Sequence, residues 1–435
     1  MIYQRSYLRL LFSAALAVAV LVSAATAAQA TPQKVRFETA LTRVLAEPYQ
    51  PAYVPTGLDS AFAPALVPNT APAQDYTSGS IPESPDHPAW PAAFREVLIH
   101  SGDGAPLFAR VALHAGVRRP GIVVVHGFNT NGKESVIRWA AMLYANGYHV
   151  IAADQRSFAA EHDAGYGPPA WVQTFGWKES EDVLAAGRYL AKQPGVGDVG
   201  VMGFSLGAQD TVLALALDAQ PAGARVFDAG LAFSGPADQN TQIYSTAAPP
   251  FCQTPFCTYP ATQALVLLVV PPYSTGDPCR VLANAGAVYG TDPYSILAQE
   301  SAYHAQTRVG VPLLTIYAAD DALVQPFHAT MTAGYQSGNP LQRTLQVQLG
   351  NHAYFYDRWW QQRATLLYFK ETLPDAASPA VRAAPTVAQT PGGAPFGDQL
   401  VSLGDPTRAE ADAVAFAAPF ICDTSRPAPA TTTVP

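Results

Sequence analysis

A mostly parallel β-sheet with helices on both faces and a cap insertion is the α/β architecture that this 435-residue chain predicts. Two observations carry it. Short apolar runs bounded by glycine, such as residues 122–125 between Gly121 and Gly127, alternate with amphipathic helical stretches up to about residue 233; this is the pattern of βαβ units. Gly203-Phe204-Ser205-Leu206-Gly207 then joins an apolar strand to a helix-forming run at 208–218. The serine is flanked by glycines because a side chain at either place would collide across so tight a turn.

Taken in order, residues 94–100 and 107–113 predict a hairpin closed by Ser101-Gly102-Asp103-Gly104. The continuous apolar run 122–125 predicts a buried central strand. A helix follows over 134–145, with Ile137, Ala140, Ala141 and Tyr144 on one face and Gly147 at its stop. Residues 149–153 form the next strand, ending at Asp154-Gln155-Arg156, and an aromatic-bearing loop (Tyr166, Trp171, Phe175) covers 157–177. A helix near 178–192 closes at Pro194-Gly195; strand 198–202 enters the serine turn, and strand 228–233 follows the next helix. From 234 to 309 the alternation breaks into a proline-containing stretch with three of the four cysteines, read as a cap. It resumes with strands at 312–317 and 344–349 and a closing helix at 354–369, with Trp359, Trp360 and Leu366 as its packed side.

The catalytic body is therefore expected at 94–372, with the cap insertion at about 234–309. The Pro/Ala-rich stretch 31–93 lacks sustained periodicity and reads as an extended N-terminal arm, partly packed through Tyr53, Leu58, Phe62 and Leu66. Residues 373–435 form an Ala/Pro/Thr-rich C-terminal tail, with 416–421 apolar enough to dock. Residues 1–30 read as a signal peptide: Arg5 and Arg9, an apolar segment from Leu10 to Val22, and Ala28-Gln29-Ala30 as the cleavage site. The competing reading is an uncleaved anchor over 10–28. Cleavage makes the protein secreted or periplasmic and moves its net charge from -8 to -10.

That acidic balance, with no basic stripe interleaved with aromatics, argues against a nucleic-acid partner. Cys252, Cys257, Cys279 and Cys422 all lie in the exported part, where an even count favours two disulfides with three connectivities open. No zinc-type pairing, His-Glu-x-x-His, phosphate-binding or dinucleotide fingerprint occurs, so neither a metal nor a cofactor is expected.

A serine hydroxyl is a poor nucleophile unless a base lies within hydrogen-bond reach, and the base needs an orienting carboxylate. The chain offers Asp320-Asp321 after strand 312–317 and Gly350-Asn351-His352 after strand 344–349. Each group follows a separate parallel strand, and ligand sites in such sheets lie beyond the carboxyl ends of the strands.

With His126-Gly127-Phe128, Gly203-Phe204-Ser205-Leu206-Gly207, Asp320-Asp321-x-x-Val324 and His352, the chain resembles the α/β-hydrolase superfamily. Within it, the esterase and lipase-like serine hydrolases are the branch it looks most like. The resemblance covers residues 94–370 and implies the α/β-hydrolase fold, a nucleophile at Ser205, a base at His352 and an acid at Asp321. Asp321 is chosen because the family's D-x-x-V pattern begins there; Asp320 is then a solvated loop carboxylate. The oxyanion of an acyl-transfer intermediate needs two preorganised N–H donors. The same resemblance assigns them to the backbones of Leu206 and Phe128, and leaves His126 as a structural loop residue. Among the other histidines, His328 lies near the acid loop.

The expected activity is cleavage of a small-molecule or lipid-like carboxylic ester through an acyl-enzyme. Two alternatives stand beside it: a peptidase or amidase on the same triad, and a noncatalytic hydrolase-fold binding module. Association with the cell envelope through the termini is a further expectation.

Overall fold

A computed structural model describes residues 32–50, 90–127, 132–156, 173–219, 224–239, 242, 285–291, 302–321, 323–355, 357–374, 393–407 and 409. The signal segment, most of the arm and cap, Phe128, all four cysteines and residues 416–421 lie outside them.

Eight strands form one sheet: β1 (Arg95–His100), β2 (Pro106–Ala112), β3 (Arg119–Val125), β4 (His149–Ala153), β5 (Val196–Phe204), β6 (Ala229–Phe233), β7 (Leu313–Ala318) and β8 (Gln342–Val347). Their spatial order is β1-β2-β4-β3-β5-β6-β7-β8. β2 runs antiparallel to both β1 and β4, and every pairing from β4 through to β8 is parallel. The expected hairpin is thus the antiparallel edge of a parallel sheet. β3, β6 and β7 are almost wholly buried, which is why they read as unbroken apolar runs rather than alternating ones.

Helices α1 (Ile137–Ala145), α2 (Trp177–Ala191), α3 (Leu206–Leu217), α4 (Phe327–Gln336) and α5 (Arg358–Thr372) cover the sheet. Alternation along β3 separates two cores. Ile122 and Val124 face a cluster with Trp139, Phe204, Phe233, Trp360 and Phe369. Val123 and Val125 face another with Leu184, Leu190, Val212, Leu213 and Phe227. α3 is buried from Leu206 to Ala216. Its buried polar side chains, Gln209, Asp210 and Thr211, are hydrogen-bonded there, and the helix fixes the turn that precedes it.

Two features differ from the sequence reading. Residues 32–46, expected to be extended, form a helix whose Phe37, Ala40 and Val44 join the first core. The spacing i, i+3, i+7 gives that stretch an apolar stripe, so burial against the body stabilises a helix there. The tail also folds back: Ala394–Pro395 pairs with Pro48–Tyr49 in a small two-stranded sheet, and Leu400 bridges to Val347 on the edge strand β8. At the far end of the cap stretch, residues 302–309 pack into the second core through Ala302, Ala305 and Val309.

Candidate active site

The end of β5 and the start of α3 meet at Ser205, whose φ of 54° and ψ of -123° lie outside the regions a residue with a β-carbon prefers. Such strain persists only where the surroundings hold it. Here the Ser205 N–H donates to the Phe233 carbonyl at 2.9 Å, and the Ser205 carbonyl accepts from Ala208 N–H at 2.9 Å, starting the helix. A β-carbon on Gly203 would lie 2.0 Å from the Gly207 carbonyl oxygen, and one on Gly207 would lie 2.2 Å from the His126 carbonyl oxygen. Both glycines are therefore required by the crossing of the chain at this turn. Leu206 is the first residue of α3, so its N–H belongs to the helix's initial donors, which have no acceptor within the helix.

The candidate acid comes from the loop after β7. Asp321 is fully buried, and its Oδ1 accepts the N–H groups of Leu323 and Val324, each at 2.9 Å. This turn explains the D-x-x-V spacing: the valine's N–H ties the carboxylate while its side chain packs with Tyr317 and Ala329. The candidate base comes from the loop after β8. His352 sits between Asn351 (φ 62°) and Ala353 (φ 58°), both left-handed and neither a glycine. That backbone is pinned from three sides. Asp320 Oδ1 accepts Gly350 N–H at 2.8 Å and Asn351 N–H at 2.9 Å. Ser234 Oγ accepts Ala353 N–H at 3.0 Å, and Gln361 Nε2 donates to the Ala353 carbonyl at 2.7 Å.

These loops bring Ser205, His352 and Asp321 together. His352 Nδ1 lies 2.9 Å and 3.0 Å from the two oxygens of Asp321, and Nε2 lies 2.9 Å from Ser205 Oγ. A carboxylate accepts, so Nδ1 carries the proton and Nε2 is left to accept from the serine hydroxyl.

Asp320 is not the solvated carboxylate expected from the sequence. It is buried, and burial pushes its carboxyl above the ordinary range against two backbone N–H donors that pull it down. Its two bonds hold the loop that carries His352, while Asp321 meets the His352 ring itself.

On the opposite side, the β3 end brings Gly127 against Ser205. A β-carbon there would sit 3.1 Å from Ser205 Cβ and 3.1 Å from the Phe204 carbonyl oxygen. Phe128 itself lies outside the described residues. His126 is fully buried, and burial pushes its imidazole below the ordinary value, so the ring is neutral. Its Nε2 accepts Gln155 N–H at 3.2 Å, which leaves Nδ1 to donate to the Gly127 carbonyl at 2.7 Å. Gln155 Nε2 in turn donates to Asp210 on α3, whose carboxyl burial pushes well above the ordinary range. The chain from α3 through Gln155 to His126 thus ties the β3 end to the serine turn. Sequence reasoning missed it, because Gln155 and Asp210 stand 55 residues apart and become partners only across the fold.

Arg156 was also read only as a strand end. It is fully buried between Asp182, at 2.7 Å, and Asp103, at 2.8 Å, and it donates to Tyr289 Oη at 3.1 Å. These contacts tie residues 285–291 to the body. Among the described residues, no group of three or more His, Cys, Asp or Glu is placed to hold a metal ion.

His328, at the start of α4, accepts Ala237 N–H on Nδ1 at 3.1 Å, and burial pushes its imidazole down to about 3. Between that value and the ordinary 6.5, the unfolded chain binds a proton here that the folded chain does not. This contribution is complete above pH 6.5 and is lost as the pH falls through the window. His328→Asn keeps an acceptor in the Nδ1 position and does not titrate. Its stability relative to wild type should therefore improve by up to about 1.4 kcal/mol per pH unit on acidification below about pH 6.5. Urea midpoints at two pH values check this, and parallel profiles for the two proteins would refute it.

The strand order places an antiparallel β2 beside β4, β3 inside β4, and a strained serine turn after β5. The chain has the α/β-hydrolase fold. No family model matches the sequence, and no curated protein does. Solved structures of similar form include an esterase, Pf2001, of Pyrococcus furiosus, at 18% identity over 64% of this chain and 93% of that one, with a TM-score of 0.43. A 2,6-dihydroxy-pseudo-oxynicotine hydrolase is 16% identical over 68% of this chain and 71% of that one, with a TM-score of 0.42. An acylaminoacyl peptidase of Pyrococcus horikoshii is 15% identical over 64% of this chain and 41% of that one, also with a TM-score of 0.42.

Proposed function

We propose that this α/β-hydrolase-fold protein is an exported serine hydrolase that cleaves carboxylic esters through an acyl-enzyme. The observation that carries the reading is the unbroken line of hydrogen bonds from Ser205 Oγ through His352 to Asp321. In this reading His352 Nε2 takes the hydroxyl proton as Ser205 attacks the ester carbonyl, and Asp321 holds the tautomer and stabilises the imidazolium. The oxyanion forms beside the N-terminus of α3, where the Leu206 N–H and the helix dipole favour negative charge. The Phe128 N–H is the second donor in the proposal. His352 then returns its proton to the leaving alkoxide, and water repeats the sequence on the acyl group. Protein groups and the hydrolytic water supply every proton and charge in this scheme, so it takes no cofactor.

The test is covalent labelling of the purified chain with a fluorophosphonate, together with turnover of a short p-nitrophenyl ester and its matched anilide. The expected result is one adduct, on Ser205, and ester turnover well above anilide turnover. No adduct would favour a noncatalytic binding module, and comparable anilide turnover would favour a peptidase or amidase.

A further inference from the structure

His352 follows β8, and β8 is the outermost of the eight strands of the sheet, with β7 as its neighbour on one side. An edge strand is the least constrained place in a sheet from which to hang a base that must stay within hydrogen-bond reach of its nucleophile. The inner side of the loop is held by Asp320, Ser234 and Gln361. Its outer side is held by segments from outside the predicted body. Tyr49 donates its hydroxyl to the Leu349 carbonyl, three residues before His352. Two positions behind, the backbones of Gln346, Gln348, Gln399 and Val401 exchange hydrogen bonds of 3.1 Å and 2.9 Å, so the tail lies along the free edge of β8.

The two terminal segments also hold each other. The Tyr49 ring meets Trp360 at 5.2 Å and Phe396 at 5.3 Å, both edge-on, while Phe396 stacks on Trp360 at 3.9 Å. Gln50 N–H donates to Asp357 Oδ2 at 2.8 Å, and the same carboxylate caps α5 through Trp360 N–H. Further along the tail, Leu403 packs against Tyr317 and Val324 of the acid loop. The contacts thus reach both the base loop and the acid loop.

We propose that residues 32–50 and 393–407 form one brace that fixes the base loop on the sheet edge, with Tyr49 as its positioning residue. The inference rests on the hydrolase reading above. It adds that the terminal segments are part of the working catalytic unit rather than a tether. Tyr49 touches no reacting atom and acts through the Leu349 carbonyl on the placement of His352.

Tyr49→Phe in the full chain removes the hydroxyl and keeps the packed ring. A small displacement of a catalytic group costs rate steeply, so kcat on a short p-nitrophenyl ester should fall about tenfold with KM within about twofold. The rate of fluorophosphonate labelling of Ser205, which also needs the base, should fall in parallel. Val196→Ala, in the core on the other face of the sheet, serves as the comparison: it lowers the thermal midpoint and leaves kcat and labelling unchanged. Wild-type kcat in Tyr49→Phe, or an equal kcat loss in Val196→Ala, would overturn the brace alone. A wild-type chain inert to both ester and probe would overturn the hydrolase reading and this one with it.

Discussion

Ser205→Ala should abolish ester turnover, with a loss in kcat of about 10^6-fold, and Asp321→Asn should lose about 10^4-fold. The smaller loss has a specific origin. Asp321 Oδ1 takes two backbone N–H donors, from Leu323 and Val324, so an asparagine at 321 keeps its carbonyl oxygen there. Its amide nitrogen then occupies the Oδ2 position, 2.9 Å from His352 Nδ1. Two donors cannot face each other, so the Nδ1 proton keeps only the oxygen at 3.0 Å, and the tautomer with its proton on Nε2, which has no lone pair to accept from Ser205, gains ground. Asp320→Asn is the paired measurement. Asp320 Oδ1 accepts from Gly350 and Asn351 N–H groups, and an amide oxygen accepts both in the same place, only less strongly, so that variant should retain kcat within about tenfold. Equal losses in Asp320→Asn and Asp321→Asn, with folding intact by circular dichroism, would remove the distinction drawn between the two acids.

Legibility of the fold followed how each element is buried. β3, β6 and β7 stood out because a strand covered on both faces is a continuous apolar run. β5 proved longer than expected, Val196–Phe204 rather than 198–202, because Gly197 and Gly203 bound an apolar reading without interrupting the strand. α4 went unseen for a different reason. Part of its buried face is polar: Thr332 bonds to the Tyr317 hydroxyl at 3.0 Å, and Gln336 bridges Gln306 at 2.7 Å and Thr344 at 2.6 Å. Its apolar Phe327, Met331 and Tyr335 are interleaved with such buried polar side chains, so the stripe they make is weak for periodicity to register. The helix at 32–46 did carry one, through Phe37, Ala40 and Val44, but the Pro/Ala-rich composition of residues 31–93 as a whole masked it. At the site, the order of Ser205, Asp321 and His352 could be read because each follows a strand. The supports could not, since Asp320, Ser234, Gln155 and Tyr49 find their partners across the fold rather than along the chain.

Gly203→Ala should damage the protein more than any other single methyl group added near the site. The new carbon would lie 2.0 Å from the Gly207 carbonyl oxygen, 2.4 Å from its carbon and 2.6 Å from Thr211 Oγ1. The two nearest are backbone atoms in the first turn of α3, a helix buried along its length, so neither wall can retreat without disturbing the core. The strain has one outlet, the Ser205 turn, which is held by the Phe233 carbonyl on one side and starts α3 on the other. A loss of ~3 kcal/mol or more is expected, with labelling of Ser205 suppressed even in the folded fraction. Gly127→Ala is the intermediate case. Its contacts of 3.1 Å with Phe204 and Ser205 are tight but yielding, so it should fold and lose rate by displacing the nucleophile. Gly102→Ala is the control: nothing lies within 4 Å of the added carbon, and stability should stay within about 0.5 kcal/mol of wild type. Urea midpoints and labelling rates for the three should fall in that order. A Gly203→Ala protein as stable and reactive as Gly102→Ala would mean that the chain does not cross itself here as described, and the strained serine would lose its structural cause.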